Sequence, residues 1–343
     1  MRVIHPHRLR VLSVLLAVVC LLLGAAAQAA PLPAWAIPMP GLGTLALYGG
    51  SPEKAIHNYV EGVIRRGVFP RQAAELRAWG RQLAARSKQA RPLAETLTPG
   101  QPVSGIQLNN VNDLIGDKAH HGTRKAYAHA LAGAGVASVF FPPGDSGQKS
   151  RIEQRLASVH HLHLVGGDDL HPELWGGEVT HAHIEELNLV RDRMEAKVVG
   201  MAIAAGMPVD ATCRGYQLLN VMSGGTMVQD IVEDHLSVTP HFGPGFKPTP
   251  HAVHVERGSA IAATVGTKLR SVKSMHHEAL GLIAKLFKVV GRAPDGVPEM
   301  IEGYGGRVRG NQFHAELARR TAYSRAIYRN VAERARAYMQ ARR

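Results

Sequence analysis

This chain of 343 residues contains only two cysteines, Cys20 and Cys213. No HExxH spacing occurs, and no second cysteine stands near Cys213 to share a zinc ion. Aromatic side chains are scarce as well, at 5%. Neither zinc-finger spacing nor an RNA-binding aromatic motif is present, so nucleic acid is not an expected partner. No apolar run reaches the roughly 20 residues that cross a bilayer, and no internal repeat is visible.

The chain opens with a leader. Arg2, His5, His7, Arg8 and Arg10 form a basic start, residues 11–24 are almost wholly apolar, and Ala27-Gln28-Ala29 supplies a small-residue cleavage site. That order is the three-part pattern of a secretory signal peptide, and the run is short for a membrane anchor. The expectation is a periplasmic or secreted protein cleaved after Ala29, with no stable membrane span. Cys20 would leave with the leader. Cys213 would then be the lone thiol, without an internal disulfide to join. In an oxidising compartment such a thiol is either buried and inert or kept for its reactivity.

Apolar residues make up 45% of the chain and charged residues 20%, ordinary values for a globular protein with a core. Net charge is +13; the leader holds three Arg and no acid, which leaves +10 after cleavage. Much of the excess lies in 319–343. That segment reads as an amphipathic helix with Tyr323, Ile327, Val331 and Tyr338 on one face and Arg on the exposed faces. It would close the domain as a solvated helix or, alternatively, offer a basic binding surface.

Four domain-level pieces follow: the leader (1–29), an extension with a linker (30–101), the main domain (102–317) and the basic C-terminal helix (318–343). The Pro- and Gly-rich stretch 31–50 reads as extended and mobile. Ser51-Pro52-Glu53 looks like a capped helix start, and Ala55, Tyr59, Val63, then Ala74, Leu76, Trp79 and Leu83 suggest a helical pair. Residues 88–102 resemble a linker. From Val103 the pattern alternates: strands at 103–108, 137–141, 161–165 and 208–212, helices at 123–133, 152–159, 184–205 and from 217. This is the signature of an α/β fold with a doubly wound, mostly parallel sheet, a flavodoxin-like three-layer sandwich. Short strands beyond 252 (252–256, 268–272, 286–291, 297–302 and 307–313) suggest antiparallel additions.

Cys213 lies where the strand at 208–212 runs into a helix, in Ala211-Thr212-Cys213-Arg214-Gly215. Small residues on either side suit a nucleophile on a crowded strand-to-helix turn. Such a turn aims the sulfur out of the sheet at a helix N-terminus, where negative charge is favoured, and at the carboxyl edge where open α/β sheets bind ligands. The same pattern also fits a buried structural cysteine.

Further segments carry more information in their order. Gly166-Gly167-Asp168-Asp169 follows a strand, and Arg191-Asp192-Arg193-Met194-Glu195 lies in the helix before the turn. After Cys213 to Asn220 come Gly224-Gly225-Thr226, Gln229-Asp230, Val272-Lys273-Ser274-Met275-His276-His277, Ala293-Pro294-Asp295-Gly296 and Gln312-Phe313-His314-Ala315-Glu316. In this order, over about 102–316, they resemble the class I glutamine amidotransferase-like superfamily, and within it the γ-glutamyl-γ-aminobutyrate hydrolase family. The resemblance implies a Cys213–His314–Glu316 triad, an oxyanion hole from the N–H groups of Gly167 and Arg214, and substrate contacts from Gln217, Ser274, His276 and His277. It implies no cofactor and no metal. The histidines at 160, 161 and 163, at 181 and 183, and at 276 and 277 suggest metal binding only weakly.

Four positions depart from the family pattern. Ala211 stands where Gly is usual, Ala315 where Pro is usual between the His and the Glu, and Glu278 where Gln follows the paired His. Asp210 is a charge in a strand expected to be buried, with no partner legible in the sequence. The expected function is hydrolysis of γ-glutamyl amides, by the chain alone or as a homo-oligomer, with a small γ-glutamyl substrate as the partner. Two alternatives stay open: the glutaminase component of an amidotransferase, and a catalytically impaired relative that binds envelope material.

Overall fold

The computed structural model describes residues 33–39, 43–108, 118–144, 149–181, 187–238 and 240–342. The leader at 1–29 and His183 lie outside the described residues. Two strands come first, β1 (Ala34–Met39) and β2 (Gly43–Tyr48), then helices α1 (Pro52–Arg65) and α2 (Ala73–Ala84), the short strand β3 (Arg91–Pro92) and the single turn α3 (Leu93–Thr96). The alternating part runs β4 (Val103–Gln107), α4 (Lys118–Gly133), β5 (Ala137–Phe141), α5 (Lys149–Ala157), β6 (His161–Leu164), α6 (Leu189–Ala204), β7 (Val209–Thr212) and α7 (Arg214–Met222). Then come β8 (Met227–Val228), β9 (Thr249–Val255), α8 (Ala260–Val265), β10 (Lys268–Ser274), β11 (Ala279–Leu280), β12 (Phe287–Arg292), β13 (Pro298–Gly303), β14 (Val308–Asn311) and α9 (Ala322–Ala341).

One twelve-stranded sheet forms the centre, in the order β10-β9-β12-β13-β14-β7-β6-β4-β5-β2-β1-β3. The run β14-β7-β6-β4-β5-β2 is parallel throughout. The additions at both ends are antiparallel. Helices cover both faces, as parallel strands require. Tyr59, Leu76, Tyr127, Leu131 and Val331 pack in one core; Ile152, Val198, Val199, Leu218 and Leu219 pack in the other. The α/β doubly wound class is therefore the fold of this chain. Among the described residues no helix is long and apolar enough to cross a membrane.

Several elements differ from the sequence expectation. The stretch expected to be extended and mobile is a paired hairpin whose β2 joins the parallel sheet beside β5. Its side chains alternate between the cores: Ile37, Leu45 and Leu47 enter one, Ala36, Ala46 and Tyr48 the other. Pro38 is tolerated because β3 covers β1 only at Trp35 and Ala36, which leaves the rest of β1 as an edge. Part of the supposed linker is structured too, as β3 and α3. The helix expected from 184 starts at Leu189, because the Asn188 side chain caps it by accepting the Arg191 N–H at 3.0 Å. The last helix starts at Ala322, capped by Thr321, and its Arg334 turns inward instead of facing solvent.

Candidate active site

Strand β7 ends at Thr212, and α7 begins at Arg214. Between them Cys213 takes φ 51° and ψ −116°, a left-handed backbone that a side-chain-bearing residue rarely adopts. Two main-chain bonds hold the turn. The Cys213 N–H donates to Asn311 O at 2.9 Å, and its carbonyl accepts the Gln217 N–H at 3.1 Å. Glycine is obligatory at 215, where a Cβ would lie 2.6 Å from Leu164 Cβ. Ala211 fits despite its methyl: it is buried, and its register partner on β14 is Gly310, whose missing side chain leaves room for the Tyr216 ring.

His314 and Glu316 are brought to the same place from the far end of the domain. The His314 main chain is tied to Lys273 O at 2.7 Å, just past β14. The pair sits at the start of a 3-10 turn, Ala315–Ala318, rather than on a strand, and Ser324 Oγ anchors that turn through Ala315 O at 2.7 Å. His314 Nδ1 and Glu316 Oε1 are 2.6 Å apart, and both side chains are buried. The Nε2 of His314 has no hydrogen-bond partner among the described residues, so in this resting arrangement no bond of ordinary geometry joins it to the sulfur. Burial disfavours the imidazolium, but Glu316 and the nearby Cys213 sulfur outweigh it and raise His314 well above the ordinary histidine range.

Gly166 fixes how closely these parts meet. A Cβ there would lie 3.0 Å from His314 Cε1 and 3.2 Å from Cys213 Cβ. The loop after β6 therefore packs directly on both side chains, with Gly167 exposed beside it. At the start of α7 the N–H of Arg214 lies in the first helical turn, which offers it no acceptor within the helix. Its side chain faces the other way. Arg214 Nη1 donates to Glu195 Oε2 at 2.6 Å and Nη2 to Asp192 Oδ1. Arg191 extends the buried network from Asp192 to Asp168 Oδ2 at 3.2 Å. One chain of ion pairs thus ties the Gly166-Gly167 loop, α6 and the elbow together, which accounts for the charged run 191–195.

The expected substrate-contact residues divide. Gln217 and Ser274 are buried at the site's floor, Gln217 Nε2 at 3.4 Å from Gln312 Oε1 and the Ser274 hydroxyl without a partner among the described residues. His277 lies at the site's side, 3.4 Å from Asp169. His276 does not face Cys213: its two nitrogens are engaged with Glu278 O at 2.8 Å and with His241 and Glu299. In this arrangement both ring nitrogens of His276 are engaged within that second cluster. Sequence reasoning also passed over Gln312 and Met275. Gln312 Nε2 approaches Cys213 Sγ at 3.6 Å, and the Met275 carbonyl faces the same sulfur at 3.9 Å. Glu278 is wholly buried. Burial, with the charges of Asp169 and Cys213, raises its pKa well above the carboxylate range. A neutral carboxyl offers one donor and one acceptor, as the family's usual Gln amide does.

Asp210 has its partners in space. It lies 2.8 Å from His161 Nε2 and pairs with Arg334 of α9. Burial opposes its ionisation, yet Arg334 and His161 hold its carboxyl well below the usual range. His161 also meets Ser104 Oγ at 2.8 Å. His163, next along the same face, is pushed down to about 3 by burial and packs on Tyr127. These two histidines are structural.

Residues 102–316 match the family model described as Peptidase C26. Protein NtpR of Enterococcus hirae is 30% identical over 226 residues, which span 63% of this chain and 90% of that protein. The γ-glutamyl-γ-aminobutyrate hydrolase PuuD of Escherichia coli K12 is 25% identical over 212 residues, 58% of this chain and 79% of its own length. Among solved structures, a Thermoplasma acidophilum protein described as a candidate component of GMP synthase superposes with a TM-score of 0.51 over 71% of this chain and 98% of that one. At 17% identity that likeness shows the fold.

Proposed function

The chain belongs to the Peptidase C26 family, within the class I glutamine amidotransferase-like superfamily of hydrolases acting on carbon–nitrogen bonds, and on that footing we propose that it hydrolyses γ-glutamyl amides through a thioester on Cys213. The observation that carries the proposal is the convergence on Gly166. A cysteine in a left-handed elbow and a Glu-oriented histidine pack against one glycine, where a methyl group would fit only if those neighbours gave way.

The reaction follows from the charges. The Cys213 thiolate attacks the amide carbonyl carbon, and a carbon–sulfur bond forms as the carbonyl oxygen takes the negative charge. The N–H groups of Gly167 and Arg214 receive that oxyanion. The imidazolium of His314 gives its Nε2 proton to the leaving amine as the carbon–nitrogen bond breaks. Water then attacks the thioester with His314 as base, releasing the γ-carboxylate and restoring the thiolate–imidazolium pair. Glu316 keeps Nδ1 protonated and stabilises the charged ring throughout. Glu278, Gln217 and His277 are assigned to the glutamyl end.

Export is part of the proposal. The leader at 1–29 would deliver the enzyme outside the cytoplasm, where γ-glutamyl amines, γ-glutamyl peptides or γ-linked glutamate of envelope material are the candidate substrates. The impaired-relative reading rests on Ala211, Asp210 and the basic last helix. Each has a structural place: Ala211 is packed, and Asp210 is paired with Arg334 from that helix. The test is a panel of γ-glutamyl amides assayed with wild type and Cys213→Ala. Turnover by wild type alone supports the proposal; equal turnover by both, or none on any member, overturns it.

A further inference from the structure

Away from the sulfur, four residues distant in sequence meet in a buried cluster: His241, His251 on β9, His276 and Glu299 on β13. Their ligand atoms all lie within 4.8 Å of one another. The proposed reaction uses none of them.

The hydrogen bonds on the outer side of each ring decide what faces inward. His276 Nδ1 lies 2.8 Å from Glu278 O, His251 Nδ1 3.0 Å from Ala252 O, and His241 Nε2 2.9 Å from Asp295 Oδ2. Carbonyl and carboxylate oxygens only accept, so these three nitrogens carry the protons. When the rings are neutral, the inner nitrogens, His241 Nδ1, His251 Nε2 and His276 Nε2, present lone pairs. All three converge on Glu299 Oε1, at 3.0, 3.3 and 3.3 Å, and His241 Nδ1 lies 3.2 Å from His276 Nε2. Histidines that bind metal are oriented in this way, each outer N–H held by an oxygen.

The spacing fits one ion class. Zinc–nitrogen and zinc–oxygen bonds of about 2.0–2.1 Å in a tetrahedron place ligand atoms about 3.3 Å apart, close to the separations found here. Glu299 is 0% exposed, and among the described residues its Oε2 has no hydrogen-bond partner and neither has the inner Nε2 of His251. A single proton can bridge two of these four atoms, whereas one cation satisfies all four.

We propose that His241, His251, His276 and Glu299 bind one divalent transition-metal ion, zinc being the best match to three imidazoles and a carboxylate, as a structural centre. The centre fixes the walls of the active site. Met275, whose carbonyl faces Cys213 Sγ, precedes His276 directly. Gln312, whose amide also approaches the sulfur, donates its main-chain N–H to Glu299 O at 2.8 Å. The ion takes no part in the bond-making steps. The inference stands apart from the choice of substrate.

The test uses the purified full chain, stripped with chelator and titrated with zinc alone. Metal content after gel filtration and thermal unfolding are the two readouts. About one zinc per chain is expected, with a melting temperature that rises saturably with zinc. His251→Gln, at the best exposed of the four positions, is expected to weaken zinc binding by more than about a hundredfold, beyond the loss typical of an outer-shell change. His254→Gln, exposed on the same strand, is expected to bind as wild type does. Background zinc with an unmoved melting temperature in wild type would mean that a proton holds the cluster, and would overturn the proposal. Equal zinc retention by wild type and His251→Gln would overturn it as well.

Discussion

The guanidinium of Arg334, in the last helix, reaches the carboxylate of Asp210 on the strand that leads into Cys213. His161 completes the arrangement from the neighbouring strand at 2.8 Å. Buried charge is costly unless paired, so the C-terminal helix stabilises the strand that leads into Cys213. Arg334→Ala is expected to destabilise the protein by about 3 kcal/mol, read as a lower urea midpoint. Because Asp210 titrates below its unfolded value, its contribution is present above about pH 4 and fades as pH falls towards its folded value. The difference between wild type and Arg334→Ala should therefore shrink on acidification.

Glu316 supplies the first attraction that offsets burial of the His314 imidazolium. His314 is raised above its unfolded value, so its contribution to stability is full below about pH 6.5 and is lost as pH rises through the folded value. In Glu316→Gln the ring loses its proton at lower pH. The alkaline limb of the activity profile is expected to move down in pH, and kcat to fall by about a hundred- to ten-thousandfold. An unshifted limb would mean that Glu316 only packs against the ring.

Gly166→Ala isolates geometry from chemistry. The added methyl asks His314 and Cys213 to give by a few tenths of an ångström at once; displacement by about 1 Å costs on the order of a hundredfold in rate, so a smaller loss, up to about tenfold, is expected. The expected outcome is that loss in kcat with the cysteine still alkylated by iodoacetamide. Full activity would show that the loop yields.

Gly215→Ala tests the elbow's packing. Its new Cβ would fall 2.6 Å from Leu164 Cβ and 2.9 Å from Leu164 O, against a strand that cannot move aside. Overpacking of this kind costs about 1–3 kcal/mol, measurable by thermal or urea unfolding. A neutral result would place the start of α7 further from β6 than described.

Export predicts a mature N-terminus at Ala30 when the full gene product is made in a secreting host. Terminal sequencing that returns Met1 would contradict it.

The parallel half of the fold is legible because its strands are short, with Pro142-Pro143 closing β5 and Gly166-Gly167 closing β6, and with a helix-length interval from each to the next. The hairpin 34–48 is not, since its prolines and glycines imitate a loop and its pairing depends on β5, far along the chain. In the site, Cys213, His314 and Glu316 can be placed from motif order. The partner of Asp210 cannot, because Arg334 stands 124 residues away and looks like one more surface arginine on a basic helix. The His241–Glu299 cluster is equally hidden: its members come from separate strands and loops, with no local spacing, and the resemblance assigns His276 to the substrate together with His277.

Mass analysis of the enzyme quenched in acid during turnover of a γ-glutamyl amide tests the account most directly. The expected result is a glutamyl adduct on the peptide containing Cys213, which appears and decays with turnover and is absent from Cys213→Ala. Turnover that proceeds with Cys213 unmodified, or an adduct on any other residue, would contradict the assignment of Cys213 as the nucleophile.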